Sequence, residues 1–188
     1  MDRMGYLARE FGFVGRPIFG ARASFSSLGD DLILYAAGRY EQLEIWRAAG
    51  ELHRIVRWQS RDRAVGPEDA EAWRRQRRAE LEARSEIRPE MEPIIEAQTG
   101  DHIPVAELYP AHGQVVVSHE GDLWVEEYRR PRDEGPARWL MFRPDAGFVC
   151  SVSLPGDLWV MAIRDNRVFG LATDSLDVEY VLGYDVRR

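Results

Sequence analysis

Gly121-Asp122-Leu123-Trp124-Val125, Trp139-Leu140-Met141-Phe142-Arg143 and Gly147-Phe148-Val149-Cys150-Ser151-Val152 form a pattern that the chain uses more than once. A Gly/Asp turn leads into a short aromatic-aliphatic run, a second run follows, and a Gly turn introduces a third. Towards the N-terminus the same order appears in Gly29-Asp30-Asp31-Leu32-Ile33-Leu34-Tyr35, Leu43-Glu44-Ile45-Trp46-Arg47 and Gly50-Glu51-Leu52-His53-Arg54-Ile55-Val56. Towards the C-terminus, Asp165-Asn166-Arg167-Val168-Phe169-Gly170 opens a third copy that continues through Val178-Glu179-Tyr180-Val181-Leu182-Gly183-Tyr184. Short apolar runs rich in β-branched and aromatic residues, bounded by Gly, Asp and Asn, read as strands joined by tight turns. Repeated antiparallel meanders of this size predict a mainly β chain: a partial β-propeller of about three blade-like meanders with one inserted surface helix.

Segments 31–36, 42–47 and 52–57 are expected in one antiparallel sheet, and 122–128, 138–143 and 148–153 in another. Residues 1–58 then comprise an N-terminal segment and the first complete meander, 59–104 a helical insertion and linker, and 105–188 two further meanders, the last incomplete. In the insertion, Gly66-Pro67-Glu68-Asp69 reads as a helix start, with Pro at the first helical position and acids in the first turn. Residues 68–87 are predicted to be helical and largely exposed, packed through Trp73 and Leu81, with Pro89 and Pro93 closing the helix.

Composition narrows the classes. A 45% hydrophobic content in 188 residues is enough for a packed core and excludes global disorder. The net charge of −7 gives a nucleic-acid partner no support, and none is expected. All 25 basic residues are Arg, which reads as codon usage rather than phosphate recognition. Cys150 is the only cysteine, so an intrachain disulfide is impossible. No stretch approaches the roughly 18 apolar residues of a membrane helix. Met1-Asp2-Arg3-Met4-Gly5-Tyr6-Leu7 lacks the apolar core of a signal peptide. The expected location is extracytoplasmic for a portion of a longer exported chain and cytoplasmic otherwise.

Leu108-Tyr109-Pro110-Ala111, Glu120-Gly121-Asp122-Leu123-Trp124-Val125, Trp139-Leu140-Met141-Phe142 and Val152-Ser153-Leu154-Pro155 occur in that order. The ending adds Arg167-Val168-Phe169-Gly170-Leu171-Ala172-Thr173-Asp174 and Asp177-Val178-Glu179-Tyr180-Val181. Together these resemble the C-terminal half of a family of uncharacterised bacterial six-bladed β-propeller proteins. The resemblance covers most of residues 20–188. It implies a propeller fold and export, and it implies no established catalytic residues.

Trp46, Trp124, Trp139, Phe142, Phe148 and Trp159 recur at matching places in the runs and are expected to fill the space between sheets. The weak candidates for ligand binding are His102, His112, His119 and Asp122, which have no recognised metal-ligand spacing. The acidic pairs Asp30-Asp31 and Asp174…Asp177 sit at turns. Calcium is the alternative cofactor, and would need further oxygens to converge there. Cys150 lies mid-strand with no His placed to activate it, and the serines lack a nucleophile-elbow motif, so no catalytic residue is assigned. The cluster Arg74-Arg75-Gln76-Arg77-Arg78 lies among acids and reads as a solvated, ion-paired face. Trp73, Arg74 and Arg77 are the candidates for a protein partner on that helix.

Two functional readings follow. The first is a non-catalytic β-propeller-type scaffold or binding module. The second is a metal-dependent propeller hydrolase or dehydrogenase, lactonase-like or sugar-dehydrogenase-like. About three blades leave two outer sheet surfaces uncovered, so the expectation is self-association into a dimer in which two half-rings complete one another, or poor solubility as an isolated monomer, with Phe11–Val14 as a candidate strand to complete the last meander.

Overall fold

Apolar residues on both faces of one strand oblige it to lie between two other layers, and Trp139-Leu140-Met141-Phe142 is such a strand. The computed structural model describes residues 16–84, 92–145, 147–174 and 176–186. Eleven strands in three antiparallel sheets and two helices are present among them. The first sheet is β1 (Ser24–Ser27), β2 (Leu32–Ala36), β3 (Gln42–Arg47) and β4 (Leu52–Arg57), in that spatial order. The second is β5 (Val115–Val117), β6 (Leu123–Glu126), β7 (Ala137–Arg143) and β8 (Gly147–Leu154), also in order. The third has β9 (Trp159–Arg164), β10 (Arg167–Thr173) and β11 (Glu179–Asp185), with β10 central. Among the described residues no sheet closes on itself.

The two expected sheets therefore form, each with a fourth strand. Ser24–Ser27 pairs with β2, and Val115–Val117, the apolar run that opens the second sheet, pairs with β6. Turn chemistry sets the hairpins. Gly50 and Gly147, at φ 88° and 81°, take the left-handed conformation that ends the β3–β4 and β7–β8 connections. Asp165 and Asn166 are both left-handed, at φ 51° and 58°, as a two-residue hairpin turn requires. A bulge shifts the register between Ile45 and Trp46, and another falls at the corresponding place between Met141 and Phe142.

Alternation along the strands distributes the core. Leu34, Leu43 and Ile45 of the first sheet join Leu123, Val125, Leu140 and Phe142 of the second in one buried cluster. The opposite face of the second sheet contributes Trp124, Trp139 and Met141 to another cluster, with Leu158, Val160, Ile163 and Val168. Each fully buried side chain of this kind contributes about 1.5–3 kcal/mol. The expectation for the aromatics holds for Trp124, Trp139 and Phe142. It fails for Phe148 and Trp159, which are 58% and 62% exposed, and Trp46 is half-buried. Trp159 and Trp46 lie on sheet faces that meet no further sheet, and Phe148 lies at a rim, edge-on to Phe142 at 5.8 Å.

The chain divides into two compact units, one formed by Ala21–Asp62 and Pro110–Arg188 and holding all three sheets. The other comprises Met1–Gly20 and Arg63–Tyr109, so the described residues 16–20 group with the insertion. In this unit Ile18 pairs with Val105, Ala64 pairs with Leu108, and the rings of Phe19 and Tyr109 meet at 4.8 Å. Helix α1 spans Pro67–Arg84, and the Gly66 N–H donates to the Asp69 carboxylate at 2.9 Å to cap it. The predicted end, residues 85–87, lies outside the described residues, as does the candidate strand Phe11–Val14. A second helix, α2 (Glu92–Thr99), was not expected. Pro93, read as a helix stop, stands in its first turn, where a missing N–H costs nothing. Ile95 is its buried anchor.

Two leucines provide a test of where the core lies. Leu123 is fully buried and Leu176 is 81% exposed. Leu123→Ala is expected to lower unfolding free energy by about 2–5 kcal/mol, and Leu176→Ala to change it by less than about 0.5 kcal/mol. Denaturant titration followed by tryptophan fluorescence measures both.

Candidate functional site

At one end of the three sheets the chain reverses in the β1–β2, β5–β6, β7–β8 and β9–β10 turns. The first three of these turns, with adjoining strand ends and the end of β9, line a cavity of about 950 Å³. Ser26 and Ser27 come from β1, Ser118 to Asp122 from the β5–β6 turn, Arg143 to Asp145 from the β7–β8 turn, and Met161 to Arg164 from β9.

The β5–β6 turn is built locally. The Asp122 N–H donates to Ser118 Oγ at 3.1 Å, the Gly121 N–H to the Ser118 carbonyl at 3.0 Å, and Gly121 is left-handed at φ 85°. This places the Asp122 carboxylate 3.5 Å from Arg143 Nε. The His119 N–H donates to the Ile163 carbonyl at 2.8 Å, tying the turn to β9. Glu120 Oε1 accepts the Asp165 N–H at 2.8 Å, and that hydrogen bond holds the Glu120 carboxyl below its usual range. The His119 side chain is exposed at the cavity. The wall thus offers carboxylates, guanidinium groups, an imidazole and hydroxyls, interleaved with Leu32, Val117 and Met161.

Two of the four ligand candidates share the cavity. His119 and Asp122 line the cavity, whereas His102 is exposed in a loop of the helical unit. His112 is 4% exposed, ahead of β5 and away from the β5–β6 turn. Its Nδ1 lies 2.9 Å from the Gly113 carbonyl, so Nδ1 carries the proton, and the buried Nε2 meets no hydrogen-bond partner among the described residues. The Trp58 ring stands 6.4 Å away. Burial pushes the His112 pKa down. Nearby, the Gln114 side-chain amide bonds both backbone groups of Val160, at 3.0 and 3.1 Å. Glu126 accepts the Gln114 N–H at 2.9 Å, and burial pushes its carboxyl pKa up.

Among the described residues no group of three or more His, Cys, Asp and Glu side chains is arranged to hold a metal ion. The Cys150 thiol lies 3.9 Å from the Met141 sulfur. On α1, Trp73 is half-buried, and the neighbouring arginines engage their own unit. Arg74 approaches Asp101 at 3.6 Å, Arg77 pairs with Glu80 at 3.2 Å, and Arg78 reaches Glu92 and Glu96, each at 3.0 Å. Arg143, Asp145 and Arg164 were missed as site residues. Their only signal in the sequence is their position beside turns.

No protein-family model matches the chain, and no curated protein matches it. Among the described residues no helix is long and apolar enough to cross a membrane.

His112 provides a pH test. Its folded pKa is depressed, so its contribution is fully present above the unfolded value of about 6.5 and is lost as pH falls through the folded value. Glu126 has the opposite sign: its contribution is present below the unfolded glutamate value and is lost as pH rises through the raised folded value. The thermal midpoint of the unmodified protein is expected to fall more steeply than that of His112→Phe as pH drops below about 6.5. Melting curves across that range, compared between the two proteins, isolate the histidine.

Proposed function

We propose that the chain is a non-catalytic β-propeller-type binding module whose blades are the three sheets, and that the cavity at their turn end takes a polar, hydroxyl-bearing small molecule. The observation that carries this reading is the convergence of turns from the first two sheets and the end of β9 from the third on one cavity of about 950 Å³. Pockets of roughly 300–1,000 Å³ accommodate small ligands. Carboxylates and guanidinium groups side by side supply acceptors and donors to hydroxyls. Met161, Leu32 and Val117 supply apolar surface for a carbon skeleton. The β5–β6 turn is hydrogen-bonded to β9 and to the β9–β10 turn, so much of the wall is organised before a ligand arrives.

The test is isothermal titration calorimetry against a panel of neutral and acidic saccharides, with and without calcium. Binding by the unmodified protein is expected. His119→Ala and Asp145→Ala, both at exposed positions, are expected to weaken it by about tenfold or more, or about 1.4 kcal/mol. Binding that ignores both substitutions, or no binding across the panel, overturns the reading. Binding that requires calcium favours the metal-dependent alternative.

A further inference from the structure

We infer that two copies of this chain close into one ring, the third sheet of each stacking on the first sheet of the other. Register identifies the two faces involved. On the first sheet, Phe25 lies beside Tyr35, and Ile33, Trp46 and Leu52 form one row across β2, β3 and β4. Among the described residues this face meets no sheet: Phe25, Ile33 and Leu52 are 77%, 45% and 43% exposed. On the third sheet, Trp159, Leu171 and Val181 form a row across β9, β10 and β11. Trp159 and Val181 on that face are 62% and 71% exposed.

The two faces are complementary by position. The matching bulges align Trp46 with Phe142 and Leu52 with Phe148, and the hairpins align Ile33 with Leu123. The uncovered face of the first sheet is therefore the counterpart of the face that the second sheet presents to the first. The third sheet already uses its Val160, Ile163 and Val168 face against the second, so its uncovered face is the counterpart of the one the second sheet presents to it. Each uncovered face thus matches one half of a contact that the chain makes twice internally. Applied between two copies, the same contact occurs twice around a two-fold axis and closes, leaving neither face free.

The area is sufficient. An aromatic side chain buries roughly 150–250 Å², so Trp159 and Phe25 with their aliphatic neighbours offer several hundred Å² per face. Two such contacts approach the roughly 1,600 Å² of a stable interface. The inference rests on the stacked-blade part of the proposed function and is independent of the cavity ligand, since Phe25, Trp159 and Val181 do not line the cavity.

Sedimentation velocity on the full chain at micromolar concentration tests it. A dimer is expected, and Phe25→Glu and Trp159→Glu are each expected to raise its dissociation constant at least about 100-fold. Both sites are exposed, and far-ultraviolet circular dichroism checks that each variant folds. A monomer across the concentration range overturns the inference, as does a dimer indifferent to both substitutions. A dimer broken by only one of them indicates like-to-like pairing and also overturns it. Assemblies that keep growing with concentration indicate open stacking and exclude the closed ring. Calorimetry of the cavity on the same samples reads the ligand proposal separately.

Discussion

Burial of the second sheet on both faces is the constraint on which the β unit depends. β7 is buried at Trp139, Leu140, Met141 and Phe142 in succession, something a strand with one wet face cannot sustain. Odd and even residues belong to different clusters, so a one-residue slip of β7 would exchange Trp139 and Met141 for Leu140 and Phe142 on both sides at once. Two independent packing surfaces therefore hold one register. The first and third sheets, each packed on one face here, inherit their positions from it.

Polar groups complete what the apolar layers leave open. At the turn end, backbone donors of His119 and Asp165 find acceptors across the gap between the second and third sheets. At the other end, Gln114 takes that role by satisfying both backbone groups of Val160. Such bonds contribute about 1 kcal/mol each, but leaving the same groups buried and unpaired costs more. They fix the relation of the second and third sheets, and with it one wall of the cavity. His112 follows a different logic: neutral and buried, it ties stability to pH through desolvation rather than through a partner.

The helical unit rests on a different chemistry. Sparse apolar positions on α1 cannot by themselves hold a helix pair, and Arg78 adds ion pairs with Glu92 and Glu96 of α2. These groups are substantially exposed, so each pair contributes little and is weakened by salt. Arginine suits the role because its planar fork reaches two carboxylates at once. Arg78, part of the basic cluster that the sequence marks as an ion-paired face, is one means by which the two helices meet.

Local chemistry settled much of this protein in advance. Turn glycines, the Asp165-Asn166 pair and short apolar runs determined most strands and hairpins, and Pro67 with the acids after it determined the start of α1, because each depends on a few adjacent residues. Ser24–Ser27 falls on a short apolar segment around Ala23–Ser26, and it becomes β1 because β2 offers it a ladder. The fate of the aromatics was a tertiary decision: Trp139 and Trp159 look alike in sequence, but only Trp139 has a sheet on its side. The same holds for the site. His119 and Asp122 were legible as turn residues, yet Arg143, Asp145 and Arg164 joined them only when separate hairpins were brought to one end of a stack. A turn's conformation is written in neighbouring residues, whereas the contents of a cavity depend on which distant turns the packing of the sheets brings together.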